Sequence, residues 1–200
     1  VNYNSGVSLD TTLKALRPFA HHSEIELILV DGNSKDMSRD TIEIYRSIIN
    51  RCIVGDDLGI YDAMNKGIRI CAGDWIWFIN AGDVPCIDPK GALSCLIEAD
   101  INKSNFIYSN FLVGNIMRRQ AFSVSYLAYS MINHQSCIYS KSLLLEGYDI
   151  SYRYCADYAH LLKKYSHIKP YKTNAVLCHY DLSGVSSEIS RKRRINIWRE

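Results

Sequence analysis

The sequence predicts an α/β fold with a mainly parallel central sheet and helices on both faces, and three observations predict it. Short apolar runs alternate with stretches of helical periodicity through the first half of the chain. One run, Trp75 to Ile79, is unbroken, the pattern of a strand covered on both sides. Polar, turn-rich segments follow the second strand and this one, at the strand ends where open α/β sheets bind ligands.

Taken in order, Val1-Asn2-Tyr3-Asn4 reads as the end of a first strand. The first residue is Val, so further sequence is expected before it. Ser8 can cap a helix whose Leu9, Leu13 and Leu16 form one apolar stripe before Pro18. Glu24 to Val30 is a strand, Arg39 to Asn50 a helix with Ile42, Tyr45 and Ile49 inward, and Cys52 to Val54 a short strand. From Gly59, the residues Ile60, Met64, Ile68 and Cys71 recur at helical spacing, leaving Asp62, Asn65, Lys66 and Arg69 on the other side. Gly73 closes that helix, and the Trp75 to Ile79 strand leads into Asn80-Ala81-Gly82-Asp83. Strands alternating with helices in this way imply right-handed crossovers.

Later elements are less regular. Asp88-Pro89 opens a helix, as N-cap and first-turn proline, with Leu93, Leu96 and Ile97 as its core face up to Asp100. Phe106 to Ser109, Phe111 to Gln120 and Ser136 to Tyr139 read as strands, the first two antiparallel and partly exposed. A short helix follows, ended by Gly147; Tyr158 to Tyr165 is helical with Leu161, Leu162 and Tyr165 inward, and Ala175 to Tyr180 is a late strand. No repeat or linker divides the chain. Residues 1–200 are read as one domain, with 1–100 as its regular first half and 101–200 as its less regular second half.

Composition narrows the function. A formal charge of +2, with 22% charged residues, argues against a chain-wide nucleic-acid surface. The seven scattered cysteines have no zinc spacing and read as free thiols of a reducing compartment. No apolar run reaches the length of a membrane span and no signal peptide is visible, so the expected place is the cytoplasm or the inner face of the cytoplasmic membrane. Phosphate-loop and dinucleotide glycine motifs are absent, as are Gly-x-Ser-x-Gly and His-Glu-x-x-His.

The segment Gly59, Ala63, Asn65, Gly67, Ala72, Gly73 and the strand after it resembles the donor half of the family 2 glycosyltransferases of the GT-A fold. Order and spacing both hold, and the resemblance covers most of the chain. It implies an inverting transfer from a UDP- or dTDP-type sugar to an acceptor hydroxyl, on a lipid-linked saccharide of surface polysaccharide synthesis. One departure stands out: the usual Asp-x-Asp positions hold Asn80 and Gly82, leaving Asp83 as the only carboxylate there. The resemblance makes Asp83 the ligand of a divalent Mg2+ or Mn2+ bridging to the diphosphate, although an Asp after a strand is otherwise an ordinary solvated turn residue.

Asp31 heads Asp-Gly-Asn-Ser-Lys-Asp, which alone is a tight loop bonding its own backbone. In the family such an Asp accepts from the imide N–H of uracil or thymine. Asp157 opens a helix and otherwise interacts favourably with its dipole; the resemblance makes it the general base. His134-Gln135 resembles a pair of the same subgroup, placed near phosphates or acceptor. The full set of candidate nucleotide-sugar contacts is Asn2, Tyr3, Asn4, Asp31, Asp62, Asn65, Lys66, Asn80, Asp83, His134 and Gln135. His179-Tyr180 and Ser183-Gly184-Val185-Ser186-Ser187 resemble the family's late segment over the site. The tail Arg191, Lys192, Arg193, Arg194, with Ile195, Ile197, Trp198 and Arg199, is either a solvated helix or a basic contact with an anionic membrane. A non-catalytic nucleotide-sugar-binding module and a sugar-phosphate nucleotidyltransferase stay open as alternatives.

Overall fold

The sheet is assembled around a two-residue seam. In the computed structural model, which describes residues 1–181, β1 (Ile28–Asp31) pairs in parallel with β2 (Arg51–Val54). On its other edge, Asn2 N–H donates to Val30 O at 2.9 Å and Gly32 N–H to Asn2 O at 3.0 Å, a parallel bridge. Val1 faces the opposite way: its nitrogen donates to Ile79 O at 3.1 Å and its carbonyl accepts from Ala81 N at 3.2 Å. Val1 and Asn2 thereby join β1 to the end of β3 (Trp75–Trp77), as the reading of a strand end there expects. Beyond the seam, the edges of β1 and β3 diverge around a cavity of about 640 Å3 lined by Val30, Trp77, Leu13 and Met64.

Past β3 the sheet continues through β8 (Cys137–Ser140), β5 (Phe106–Tyr108) and β9 (Pro170–Lys172), antiparallel across β8 and parallel again at β9. A second, smaller sheet runs β4 (Val84–Pro85), β10 (Cys178–His179), β6 (Phe111–Val113), β7 (Ile116–Arg118). Gly114, at φ +54, splits the expected Phe111 to Gln120 strand into the β6–β7 hairpin.

Helix α1 (Gly6–Ala20) begins before Ser8, because Asp36 Oδ2 accepts from Gly6 N at 2.9 Å, and it runs past Pro18, which stands in the last turn where few helical bonds remain to lose. Leu9 and Leu13 pack on Leu29 and on Ile42 of α2 (Ser38–Ile44). A tighter turn at Arg46–Ile48 replaces the rest of the expected Arg39 to Asn50 helix, with Tyr45, Ile48 and Ile49 buried.

In α3 (Ile60–Ile70) Met64 and Ile68 are buried as expected, but at its start Tyr61, 7% exposed, is buried in place of Ile60, 41% exposed. α4 (Pro89–Ile101) is capped by Asp88, whose Oδ1 accepts from Gly91 N at 2.8 Å. It buries Ala92, Cys95 and Ala99 most deeply, since small residues let it lie close to the sheet; the expected Leu93 and Leu96 are half-buried beside them and Ile97 is exposed. A short α5 (Val124–Leu127) was not foreseen, and α6 (Ala156–Lys163) buries His160 and Leu161 while Leu162 is exposed. The largest core cluster, with Phe78, Phe106, Tyr139 and Leu144, lies between α3, α6 and the mixed sheet. Each such side chain contributes about 1.5–3 kcal/mol on burial.

Candidate active site

The carboxyl ends of β1, β2 and β3, the start of α3 and the start of α6 converge, and they carry most of the expected residues. Asp31 is placed differently from expectation. It is fully buried, its Oδ1 accepting from Ser34 N at 2.8 Å and its Oδ2 from Asn2 Nδ2 at 2.6 Å and Ser34 Oγ at 2.7 Å. With both oxygens engaged internally, the carboxylate does not face the crevice. Asn4, at φ +47, takes part in the same knot, accepting from Lys35 N at 2.8 Å.

The surface over this knot belongs to other groups. Tyr3 is 63% exposed, and a Cβ on Gly32 would stand 2.5 Å from Asp57 Oδ2 and 3.0 Å from the Tyr3 ring. Glycine here leaves Tyr3 and Asp57 room to flank one narrow cleft, from which a larger residue would displace the Asp57 carboxylate. Asn33 Nδ2 donates to Asp56 Oδ1 at 2.7 Å across its mouth. Sequence reasoning passed over Asp56-Asp57, though a pair of carboxylates directly after a strand was the available signal.

At the start of α3, Asp62 pairs with Lys66 at 3.2 Å, and Lys66 Nζ also donates to Asp56 O at 2.6 Å. Asn65 is engaged at both ends of its amide: Oδ1 accepts from Tyr148 N at 2.7 Å and Nδ2 donates to Tyr148 O at 2.8 Å. What it holds is the turn at Gly147, whose φ is +70 and where a Cβ would stand 2.7 Å from Asn65 Oδ1.

Asp83 closes the turn between β3 and β4, its N–H donating to Asn80 O at 3.1 Å, and is 2% exposed. It is not a solvated turn residue. Burial pushes its carboxyl up to about 7, against the hydrogen bond that Asp181 N donates to its Oδ1 at 2.9 Å, and the neighbouring Asp181 charge adds to the rise. The Asp181 side chain lies over Gly82, φ +103, where any Cβ would collide with it. A carboxylate from the end of β10 thus occupies the space beside a position at which the family carries one. Asn80 Oδ1 is buried without a hydrogen-bond partner. Among the described residues no group of three His, Cys, Asp or Glu side chains gathers as a ready metal site. The oxygens of Asn80, Asp83 and Asp181 are nevertheless hard donors of the kind that suit Mg2+ or Mn2+ completed by phosphate and water.

Asp157, in the first turn of α6, is half-buried and accepts from Tyr61 Oη of α3 at 2.7 Å; Tyr154 O is also within reach of that hydroxyl at 2.8 Å. His134 and Gln135 sit behind this wall, 5% and 6% exposed. His134 Nε2 is 2.7 Å from Tyr148 Oη, its ring stacks on Phe78 at 4.8 Å, and burial pushes its pKa down, so it stays neutral. Gln135 O accepts from Trp77 Nε1 at 2.7 Å. Both side chains are thus turned to internal partners. His179 belongs to β10, Tyr180 N donates to Leu112 O at 2.8 Å, and residues 183–187 and 191–199 are outside the described part of the chain. No helix among the described residues is long and apolar enough to cross a membrane.

The cleft beside Gly32 between Tyr3 and Asp57, the oxygen-rich turn after β3 and a carboxylate on a facing helix give a glycosyltransferase-like arrangement. Residues 1–141 match the profile described as Glycosyl transferase family 2, and the chain belongs to that family. An uncharacterised glycosyltransferase of Mycobacterium tuberculosis is 27% identical over 211 residues, covering 94% of this chain and 75% of the relative. A PGL/p-HBAD biosynthesis glycosyltransferase of Mycobacterium bovis is 28% identical over 183 residues, covering 84% and 70%. Among solved structures, S. aureus TarS 1-349 in complex with UDP superposes with TM-score 0.71 at 16% identity, over 90% of this chain and 58% of TarS 1-349. A mannosyltransferase from Pyrobaculum calidifontis, in complex with GDP-Man and Mn2+, gives TM-score 0.71 at 12% identity over 100% of this chain and 62% of its own. The fold is GT-A, and this chain spans a little under two thirds of those solved chains.

Proposed function

We propose that the protein is an inverting transferase that moves a sugar from a nucleoside diphosphate to an acceptor hydroxyl. The observation that carries this reading is Asp157, a half-buried carboxylate on the acceptor side held against the donor-side helix α3. Asp157 takes the proton of the acceptor hydroxyl as its oxygen attacks the anomeric carbon. The bond to the phosphate oxygen breaks on the opposite face, and its electron pair leaves with the nucleoside diphosphate. Tyr3 offers a ring on which the base can stack, beside Asp57 as an acceptor for a base N–H. Asn80, Asp83 and Asp181 would hold the divalent cation; when bound, it neutralises charge growing on the diphosphate. The UDP and GDP-Man complexes of the structural neighbours support a nucleotide-sugar donor, and two neighbours with Mn2+ support the metal.

The division into a donor half, 1–100, and an acceptor half, 101–200, fits this assignment, since α3 and the β1–β3 ends carry donor groups and α6 carries the base. For the acceptor we propose a lipid-linked saccharide at the inner face of the cytoplasmic membrane, supported by the similarity to a PGL/p-HBAD biosynthesis glycosyltransferase and by the basic tail Arg191, Lys192, Arg193, Arg194 with Trp198. Turnover of UDP-, dTDP- and GDP-sugars with a lipid extract as acceptor tests the reading. Asp157→Asn should lose roughly 100-fold or more in kcat; full activity of that variant removes the base, and nucleotide binding without turnover in the parent favours a binding module.

A further inference from the structure

Tyr61 lies on α3, in the donor half, and its hydroxyl reaches 96 residues along the chain to Asp157 Oδ1 at 2.7 Å. The hydroxyl has one proton and two acceptors in range, Asp157 Oδ1 and Tyr154 O. A charged carboxylate is the stronger acceptor. Burial, and then the neighbouring Asp157 charge, hold the Tyr61 phenol far above its usual range, so it remains a donor at every working pH. The ring itself is fixed: Tyr61 is 7% exposed and packs on Tyr148 with centroids 5.6 Å apart.

We propose that Tyr61 is the positioning residue of the base: by donating to Oδ1 it fixes the Asp157 carboxylate in one rotation and reserves Oδ2 for the acceptor hydroxyl. The inference rests on the proposed role of Asp157. A carboxylate on the first turn of a helix has two rotatable bonds and swings freely unless one oxygen is tied. Tying it from α3 links the base to the element whose next residue, Asp62, is paired with Lys66 at the donor cleft. The other titratable groups that feel the Asp157 charge are His134, Cys137, Tyr139 and Tyr148, all buried behind it and all kept neutral chiefly by burial. A hydroxyl donor also stabilises the ionised form of the carboxylate, which a base must start in.

Tyr61→Phe keeps the ring and removes the hydroxyl. We expect kcat to fall roughly 10- to 100-fold, part of what a general base contributes, with donor KM unchanged and the acid limb of the rate profile moved to higher pH. The same displacement should appear without turnover, in the 13C carboxyl titration of Asp157, whose resonance Asp157→Asn identifies. An unchanged titration midpoint and rate profile in Tyr61→Phe overturns the inference. So does a fall in kcat with an unshifted profile and a lowered Tm, which marks a packing role only. Full activity of Asp157→Asn defeats the base assignment instead, and the carboxyl titration still reports whether Tyr61 bonds to it.

Discussion

Ser34 Oγ donates to Asp31 Oδ2 at 2.7 Å with neither residue exposed, and Ser34 N donates to the other oxygen. This pair closes the loop after β1 and, with Asn2, ties the seam to it. Asp31→Ala leaves Ser34 N and the Ser34 hydroxyl buried without acceptors, and Asn2 Nδ2 with only its longer bond to Ser34 Oγ at 3.3 Å, at about 1–3 kcal/mol for each lost partner. We expect Asp31→Ala to lose roughly 3 kcal/mol of unfolding free energy, read by urea titration, with any loss of UDP affinity following from the fold. A variant as stable as the parent but unable to bind UDP restores direct base recognition by Asp31.

The second prediction follows from Asp83. Its folded carboxyl, raised by burial to about 7, holds a proton that the unfolded chain releases near pH 4. The folded state binds more protons between those values, so its stability is fullest below about pH 4 and declines up to about pH 7. The slope is on the order of 1 kcal/mol per pH unit. Asp83→Asn should flatten that decline in urea midpoints taken from pH 5 to 8. Equal slopes in parent and variant would show that the carboxyl titrates normally.

Divalent metal should bind with the opposite pH sense. Asp83 must release its proton before it can ligate, so Mn2+ should raise Tm more at pH 8 than at pH 6. Asp181→Asn removes the like charge beside Asp83 while keeping the shape, and calorimetry should show Mn2+ affinity falling about tenfold or more. Unchanged affinity would leave Asp181 as a neighbour of Gly82 and no ligand.

Local signals carried the parts of the molecule that local physics decides. The Asp88-Pro89 start of α4 was legible because cap and proline act within one turn, and the α3 helix because its apolar spacing is regular. At the start of α3 the apolar spacing points to Ile60, yet Tyr61 is the buried residue, because its hydroxyl has its partner in Asp157, far along the chain. Asp31, Asn65 and His134 were legible as special residues but not as residues turned to internal partners: those partners, Asn2, Tyr148 and Phe78, are set by packing. Gly82 read as a missing carboxylate because nothing near it in sequence announces Asp181.

Asn65 grips its neighbour through main-chain atoms alone, the N–H and C=O of Tyr148. Such a contact is indifferent to which side chain stands at position 148, while position 147 must remain glycine beneath it. A substitution of Tyr148 would therefore cost its side chain's bond to His134 and its packing on Tyr61, yet leave the main-chain clamp that docks this segment on α3 in place.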